Sequence, residues 1–195
     1  MRMFVAVVPP EAVTEHLAEF LEPRHEAAGP LRWTSIEQWH LTLAFLPAVT
    51  DSDLDELVEG LADTISQRSS FPLQLMGAGA FPDPAAAKIL WAGVGPDPEP
   101  LTRLAAATRT AAIRAGVPAD GAKYRPHLTL ARVNRPLDVT RWLRVLDLYT
   151  GPRWQVGELA LIESQLGAGP RGRSRYVVHQ TFELRSPMRE TSYEV

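Results

Sequence analysis

A seven-residue pattern that occurs twice constrains this fold more than any other feature of the sequence. It reads HLTLAFL at residues 40–46 and HLTLARV at residues 127–133. Side chains of a β-strand point alternately to its two faces, so each copy predicts a strand with leucines on one face and a histidine and a threonine on the other. Two such strands far apart in one chain predict two similar lobes, related by a pseudo-twofold axis, whose polar faces meet at a central cleft.

The composition is compatible with one domain of this kind. A chain of 195 residues with 45% hydrophobic residues buries a sizeable core. We expect a single domain of two lobes over residues 1–185 and a loose tail over residues 186–195. The net charge of −3 and the pI near 6.0 exclude a surface that is basic throughout, as in proteins that coat nucleic acids or membranes. The absence of cysteine excludes disulfides, thiolate nucleophiles and sulfur-ligated zinc.

The N-terminal segment MRMFVAVVPP carries a short apolar run that ends at two prolines. This run is too short for the core of a signal peptide or for a membrane span. No later apolar run reaches the length of a transmembrane helix. We therefore expect a cytoplasmic protein that does not bind membranes.

The other apolar patterns predict helices that alternate with strands. Apolar residues at helical spacing predict four helices. The first ends or kinks at Pro23, the second spans 54–65 with Thr50 or Ser52 as its N-cap, and the other two cover 98–115 and 137–148. Apolar and β-branched runs predict strands at 3–8, 71–82, 87–95, 153–164 and 175–184. Several strands are joined too tightly for parallel crossovers, which favours an α+β fold with largely antiparallel sheets.

The polar face of the repeated pattern predicts a wet or ligand-filled cleft. Burying a histidine and a threonine costs free energy unless each is hydrogen-bonded. A single strand histidine is more often structural, but two imidazoles that face one cleft form an acid–base pair. The ordinary pKa of histidine, about 6.5, allows one ring to be neutral while the other is protonated.

Such a pair suits the transfer of a phosphoryl group to or from a sugar hydroxyl without a metal. Of His40 and His127, one takes a proton from water and the other gives a proton to the departing oxygen, while Thr42 and Thr129 donate hydrogen bonds to phosphate oxygens. Arg132 follows the second threonine by three places and is either a phosphate ligand, which we favour, or a solvated arginine at a strand end.

At these residues the sequence resembles the 2H phosphoesterases, whose signature is a pair of H-x-[ST]-x motifs. It is most similar to the RNA 2′,3′-cyclic phosphodiesterases, first described as 2′-5′ RNA ligases. The segments RMFVAVVPP, RWTSIEQWHLTLAFL, GAGAFPDP, RPHLTLARV and RYVVHQTFEL occur in the same order as in that family, over roughly residues 2–185. The resemblance implies a single catalytic domain with a bilobal fold, in which each lobe is a mainly antiparallel sheet with outer helices and the motif strands face the central cleft.

The resemblance also implies an activity: hydrolysis of RNA or nucleoside 2′,3′-cyclic phosphate to a 2′-phosphomonoester, without a metal or cofactor. By position, His40 matches the proton donor and His127 the proton acceptor. Ser164, Tyr176 and Phe81 lie in family-like stretches that border the cleft. With Arg132, and with Trp33 as a residue that could stack on a base, they are the predicted substrate-binding residues. Phe81 and Tyr176 could instead be packing residues, and Trp33 a half-buried strand residue. We expect a monomer whose partner is an RNA or a nucleotide with a cyclic phosphate end.

Three other activities fit the same residues. They are 2′-5′ end-joining of RNA by the reverse reaction, action on another cyclic phosphate, and binding of RNA ends without turnover. One segment departs from the family: the loop over residues 169–175 is long and carries three arginines. This loop is either a clamp on an RNA backbone or a solvated surface loop.

Overall fold

The computed structural model describes residues 1–25, 29–121 and 123–186, without the side chain of Arg171. Nine strands and four helices form within these residues. In chain order they are β1 Met3–Val7, α1 Glu11–His25, β2 Arg32–Trp33, β3 Leu41–Leu46, α2 Asp51–Ser66, β4 Phe71–Phe81, β5 Ala87–Gly95, α3 Glu99–Arg114, β6 Leu128–Leu137, α4 Thr140–Leu146, β7 Thr150–Val156, β8 Glu158–Gln165 and β9 Arg175–Glu183.

One sheet contains all nine strands and shows the internal symmetry that the repeated pattern predicts. Its order is β7-β4-β5-β6-β3-β1-β8-β9, and β2 pairs with β6. Every neighbouring pair of strands is antiparallel. From the centre outward, β3-β1-β8-β9 of one lobe corresponds to β6-β5-β4-β7 of the other. The predicted α+β bilobal fold is therefore confirmed, and the two halves join into one continuous sheet through β3 and β6.

The leucines of the repeated pattern form part of the core, as their strand phase predicts. Leu41, Leu43, Leu128 and Leu130 are each at most 1% exposed, on the sheet face opposite the two histidines. Such burial contributes roughly 1.5–3 kcal/mol for each side chain. Helices cover this apolar face: α3 packs on β3, α1 on β7, and α2 on α3. The core thus fixes the two motif strands from behind and leaves their polar face free to form a site.

Helix α2 begins where the sequence predicts. The hydroxyl of Thr50 accepts a hydrogen bond from the backbone N–H of Asp53, so Thr50 is the N-cap. Helix α1 passes through Pro23 and includes the two residues that follow it, because a proline near the end of a helix removes only one of the helical hydrogen bonds. None of the described helices combines the length and the hydropathy that crossing a bilayer requires. Residues 187–195 lie outside the described residues, and the loose tail stays a prediction.

The prediction of one strand over 153–164 is wrong. The chain breaks at Gly157 into β7, which pairs with β4, and β8, which lies between β1 and β9 in the other lobe. This short crossing is possible because the sheet curls until its two ends approach each other. The backbone N–H of Leu184 donates to the carbonyl of Gly157 at 2.8 Å, and that of Ser70 donates to the carbonyl of Arg185 at 2.8 Å.

Candidate active site

The two motif strands meet at the pseudo-twofold axis. They are neighbours in the sheet, and Leu41 and Leu128 are register partners. Continuing this antiparallel register places His40 opposite Thr129 and Thr42 opposite His127. The sheet therefore brings the two histidines and the two threonines into one group of four. All four side chains line a cleft of about 730 Å³.

Each motif strand carries a β-bulge at the same position. Against β1, the register passes from Thr42 to Ala44, so Leu43 is the extra residue. Against β5 it passes from Thr129 to Ala131, so Leu130 is the extra residue. A bulge shifts the alternation of side chains by one residue. The third side chain on the histidine face of the sheet is therefore that of Phe45 in one copy, where it lines a second cavity, and that of Arg132 in the other, where it lines the cleft.

The backbone holds both imidazole rings in the same way. The Nδ1 atom of His40 lies 2.7 Å from the carbonyl oxygen of Gln38, and the Nδ1 atom of His127 lies 2.7 Å from the carbonyl oxygen of Arg125. A carbonyl only accepts, so each Nδ1 carries the proton and donates. In the neutral ring the Nε2 atom is then an acceptor. In both copies the carbonyl two residues before the histidine fixes the tautomer and aims Nε2 away from the backbone.

Aromatic side chains pack against both histidines, from different strands. The ring of Phe4 stacks on His40 with centroids 4.6 Å apart, and Tyr176 meets the same histidine edge-on at 5.4 Å. Phe81 meets His127 edge-on at 4.9 Å, and the ring of Trp91 lies 6.1 Å away. These ring contacts limit the rotation of each imidazole.

Burial lowers the pKa of both imidazoles, because the charged form loses hydration. It lowers the pKa of His40 to about 4, and the charges of His127 and Arg132 act in the same direction. Burial also lowers the pKa of His127, and Arg132 adds to that effect. The hydrogen bonds to the two backbone carbonyls oppose these shifts. At neutral pH both rings are therefore neutral in the free protein.

Among the described side chains, three arginines line the cleft together with the histidines, and no carboxylate does. They are Arg32, Arg132 and Arg173. A second cavity of about 450 Å³ shares Thr42 and His127 with the cleft, and it is lined by Phe81, Lys123 and Asp120 among others. The site is thus a cationic cleft in a protein whose net charge is −3. Such a cleft concentrates anions.

The structure places the other sequence-predicted site residues at different distances from the histidines. Trp33 and Tyr176 line the cleft. Phe81 lines the second cavity beside His127. Ser164 is 8% exposed, pairs with Tyr176 across β8 and β9, and is absent from the cleft lining. A direct contact of Ser164 with a substrate stays a prediction, and the structure places Ser164 next to Tyr176 on the neighbouring strand.

Sequence reasoning missed four residues that orient the histidines. Gln38 and Arg125 act through their carbonyl groups, which no side-chain pattern reveals. Their shared position two residues before each histidine, in QWH and RPH, was the available signal. Phe4 and Trp91 come from β1 and β5, the strands paired with the motif strands, and only the strand order shows that their rings reach the histidines.

In the described part of the chain, no three histidine, aspartate or glutamate side chains lie close enough together to hold a metal ion. His16 of α1 has a protein partner, because its Nδ1 atom lies 3.2 Å from the hydroxyl of Tyr149.

Comparison with known proteins supports the resemblance seen in the sequence. The family model of the 2′-5′ RNA ligase superfamily matches residues 9–168. An RNA 2′,3′-cyclic phosphodiesterase of Archaeoglobus fulgidus is 33% identical over 135 residues, which are 69% of this chain and 74% of the relative. One of Aquifex aeolicus is 27% identical over 175 residues, which are 87% of this chain and 92% of the relative.

Among solved structures, E. coli LigT complexed with 3′-AMP superposes with a TM-score of 0.76 at 25% identity, covering 94% of this chain and 97% of LigT. The match extends over both lobes and both histidine motifs. The chain therefore belongs to the 2′-5′ RNA ligase superfamily and, within it, to the RNA 2′,3′-cyclic phosphodiesterase family of 2H phosphoesterases.

Proposed function

We propose that the protein hydrolyses the 2′,3′-cyclic phosphate of RNA or of a nucleoside to a 2′-phosphomonoester, by acid–base catalysis with two histidines. One observation carries the proposal: His40 and His127 line one cleft, and each has its Nδ1 held by a backbone carbonyl so that Nε2 is left for the substrate. Two rings with the same tautomer on opposite sides of one phosphate suit an in-line displacement. The family's named phosphodiesterases and the 3′-AMP complex of LigT agree with this substrate class.

The proposed step uses one water molecule. The Nε2 atom of His127 takes a proton from the water, whose oxygen forms a bond to phosphorus. The bond between phosphorus and the 3′ oxygen breaks, and the Nε2–H of His40 protonates that oxygen. The phosphate stays on the 2′ oxygen, and one proton has moved from one histidine to the other. Catalysis by a positioned acid or base contributes typically 10²–10⁴-fold.

The donor role of His40 requires that the substrate changes the protonation state of the site. In the free protein the pKa of His40 is lowered to about 4, so its ring is neutral at pH 7. An opposite charge within a few ångströms favours the charged form of a titratable group. The phosphate anion therefore raises the pKa of the adjacent imidazole, and the ring takes up its proton as the substrate binds. Arg132 lowers the pKa of both histidines only while no anion neutralises its charge.

The other polar groups of the cleft stabilise the charge that develops on phosphorus-bound oxygens. The hydroxyls of Thr42 and Thr129 donate to the non-bridging oxygens, and Arg132 adds a charge-assisted hydrogen bond. Side chains of this chain thus supply each proton and each stabilising charge of the step. We therefore expect the activity to persist in EDTA.

The decisive experiment uses an RNA oligonucleotide that ends in a 2′,3′-cyclic phosphate. We expect a product with the phosphate on the 2′ oxygen, with or without EDTA, identified by phosphorus NMR. A linear 3′-phosphate product would contradict the proposed direction of ring opening. Loss of activity in EDTA with recovery on adding zinc or magnesium would contradict the metal-independent step.

The same incubation separates the alternatives when a second RNA with a free 5′-hydroxyl is present. In the reverse reaction that hydroxyl takes the place of water and a 2′-5′ linkage forms, so a longer RNA appears. A protein that only binds RNA ends would retain the oligonucleotide and yield neither product.

A further inference from the structure

The arginine-containing loop that precedes β9 lies beside the catalytic cleft. We infer that Arg173 of this loop, together with Arg32, forms a second phosphate position that binds the 5′ phosphodiester of the nucleotide carrying the cyclic phosphate. This inference rests on the proposed function and narrows its substrate class. The preferred substrate is then the 3′ end of an RNA chain rather than a free nucleoside cyclic phosphate.

The loop is held at the wall of the cleft, although Gly172 and Arg173 stay exposed to solvent. Gly172, Arg173 and Ser174 line the cleft directly after one another. The side-chain amide of Gln38 donates to the carbonyl of Ser174 at 2.9 Å, which ties the loop to the segment before His40. The carbonyl of the same glutamine accepts the Nδ1–H of His40. One residue therefore positions both the loop and the histidine.

Backbone hydrogen bonds fix the conformation of the loop around its arginine. The N–H of Gly169 donates to the carbonyl of Arg173 at 2.8 Å, and the N–H of Arg173 donates to the carbonyl of Pro170 at 3.2 Å. A Cβ at residue 169 would lie 2.9 Å from the carbonyl oxygen of Arg173, so this close approach requires glycine. A turn closed in this way keeps Arg173 at the cleft at little entropic cost on binding.

The cleft holds more positive charge than one cyclic phosphate can neutralise. Arg32 and Arg132 are register partners across β2 and β6, and like charges directly opposite each other are destabilising. Within the described residues, none of the three cleft arginines forms a salt bridge. Two neighbouring arginines with no carboxylate partner repel each other, and an anion that binds between or beside them relieves this repulsion.

The covalent structure of the substrate determines which phosphate the remaining arginines can bind. A cyclic phosphate carries one negative charge, and Arg132 is the arginine whose charge acts on both histidines. In an RNA with this end, the 2′ and 3′ oxygens of the last ribose both belong to the ring. The next phosphate of the chain must therefore be on the 5′ oxygen of the same ribose. Arg32 and Arg173 are the cations left for it.

The second cavity is the competing position for that phosphate. It carries Arg109, Lys123 and Arg125 beside His127. Its lining also includes the carboxylate of Asp120, and its volume of about 450 Å³ is smaller than the 730 Å³ of the cleft. The carboxylate-free cleft is the better match for a polyanion.

The test compares adenosine 2′,3′-cyclic phosphate with its 5′-phosphorylated form and with the dinucleotide ApA 2′,3′-cyclic phosphate. For Arg173→Ala, we expect the ratio of kcat/KM for the dinucleotide over the nucleoside to fall about fivefold to tenfold, because Arg173 is exposed and water weakens its contact with a phosphate. The dependence of log kcat/KM for the dinucleotide on log salt should become shallower, because one salt-screened contact with the substrate is lost. Arg32→Ala should act in the same direction, and Arg173→Lys should keep most of the salt dependence.

Arg175→Ala is the matched control, because Arg175 is exposed, lies two residues away and is absent from the cleft lining. An equal drop in the ratio for Arg175→Ala, or a drop for Lys123→Ala with none for Arg173→Ala, would overturn the inference. The protein could also prefer the dinucleotide without preferring the 5′-phosphorylated nucleoside. The preference would then come from the second nucleoside and not from the 5′ phosphate, and the inference would be overturned. If wild-type protein hydrolyses none of the three compounds, the proposed function itself fails, which is a separate outcome.

Discussion

In the first lobe, that of β3, the aromatic ring nearest to the motif histidine comes from the strand next to the motif strand, whereas in the second lobe, that of β6, the nearest ring comes from one strand further out. Phe4 of β1 stacks on His40 at 4.6 Å, whereas Phe81 of β4 meets His127 edge-on at 4.9 Å. The symmetry-related partner of Phe4 is Ile89, because these residues lie opposite Phe45 and Arg132 respectively. The two lobes therefore share the backbone geometry around each histidine and differ in the side chains that surround it.

A second pair of positions diverged in size. Ala6 lies opposite Thr42 and pairs with Ala160 in the first lobe. The equivalent residues of the second lobe are Trp91, opposite Thr129, and Gly79. A large residue beside a glycine thus replaces two alanines. The bulges and the carbonyl contacts are shared between the lobes. The differences suit the proposed reaction, in which one ring gives a proton and the other takes one.

The largest expected effect is the loss of activity when either motif histidine is replaced. His40→Ala and His127→Ala should each lower kcat on a 2′,3′-cyclic phosphate by roughly 10²–10⁴-fold, with the fold retained by circular dichroism. The roles separate on a cyclic ester whose bridging 3′ oxygen is replaced by sulfur, since a thiolate departs without a proton. His40→Ala should recover most of its activity on this substrate and His127→Ala should not.

The opposite result would exchange the roles of the two rings. Equal losses on both substrates would show that neither histidine is the general acid. The double variant provides a further check, because residues that act as a unit give losses that are far from additive.

The second expected effect is on pH dependence. The profile of kcat/KM reports protonation of the free enzyme, and the step needs one protonated and one neutral ring. Burial lowers the pKa of His40 to about 4 and that of His127 below its ordinary 6.5. Above both values each ring is neutral, so the singly protonated form declines about tenfold per pH unit. We therefore expect kcat/KM to fall about 100-fold from pH 7 to pH 9.

The profile of kcat should bend at higher pH than that of kcat/KM, because the bound phosphate raises the pKa of the rings. Measuring both profiles on adenosine 2′,3′-cyclic phosphate checks this difference. A kcat/KM that stays level from pH 7 to pH 9 would mean that no histidine proton is required.

The third expected effect concerns the position at which the two motif copies differ in charge. Arg132→Ala should lower kcat/KM by roughly 30-fold, corresponding to about 2 kcal/mol for a hydrogen bond to a charged group. It should also move the alkaline fall of kcat/KM to higher pH, because Arg132 lowers the pKa of both histidines. Phe45→Ala, its symmetry-related control, should leave the pH profile in place.

The alternation of the repeated pattern was sufficient to predict the two motif strands, their buried leucines and the shared cleft. It was not sufficient to place Arg132. Strict alternation assigns this arginine to the leucine face, and the bulge at Leu130 moves it to the cleft. A bulge depends on how two strands align, and neither strand's sequence records it. The break at Gly157 was missed for a related reason, since the two segments it joins read as one apolar run.

The loop over residues 169–175 shows a further limit of sequence reasoning. Its arginines could be counted in the sequence, and their role could not be decided there. The contact between Gln38 and Ser174 joins segments far apart in the chain, and that contact places Arg173 at the cleft.

The smallest expected effect concerns Trp91 and Gly79, the pair of residues that differs in size from the alanine pair of the other lobe. A Cβ at Gly79 would lie 2.0 Å from a ring atom of Trp91, so Gly79→Ala forces the indole to move. Overpacking of this kind costs about 1–3 kcal/mol of unfolding free energy. Because Trp91 lies 5.3 Å from Phe81 and 6.1 Å from His127, we also expect a severalfold loss of kcat. Urea unfolding and kinetics on one preparation measure both.

The double variant Gly79→Ala with Trp91→Ala gives the second lobe the alanine pair of the first and completes a thermodynamic cycle. With the indole removed, the added methyl group meets no ring, so Gly79→Ala should cost almost nothing in the Trp91→Ala background. The coupling free energy should therefore equal nearly the whole cost of the single Gly79→Ala change. Additive costs would show that the glycine is needed for its backbone and not for the space it leaves to Trp91. The two lobes would then differ at this pair in chain conformation and not in packing alone.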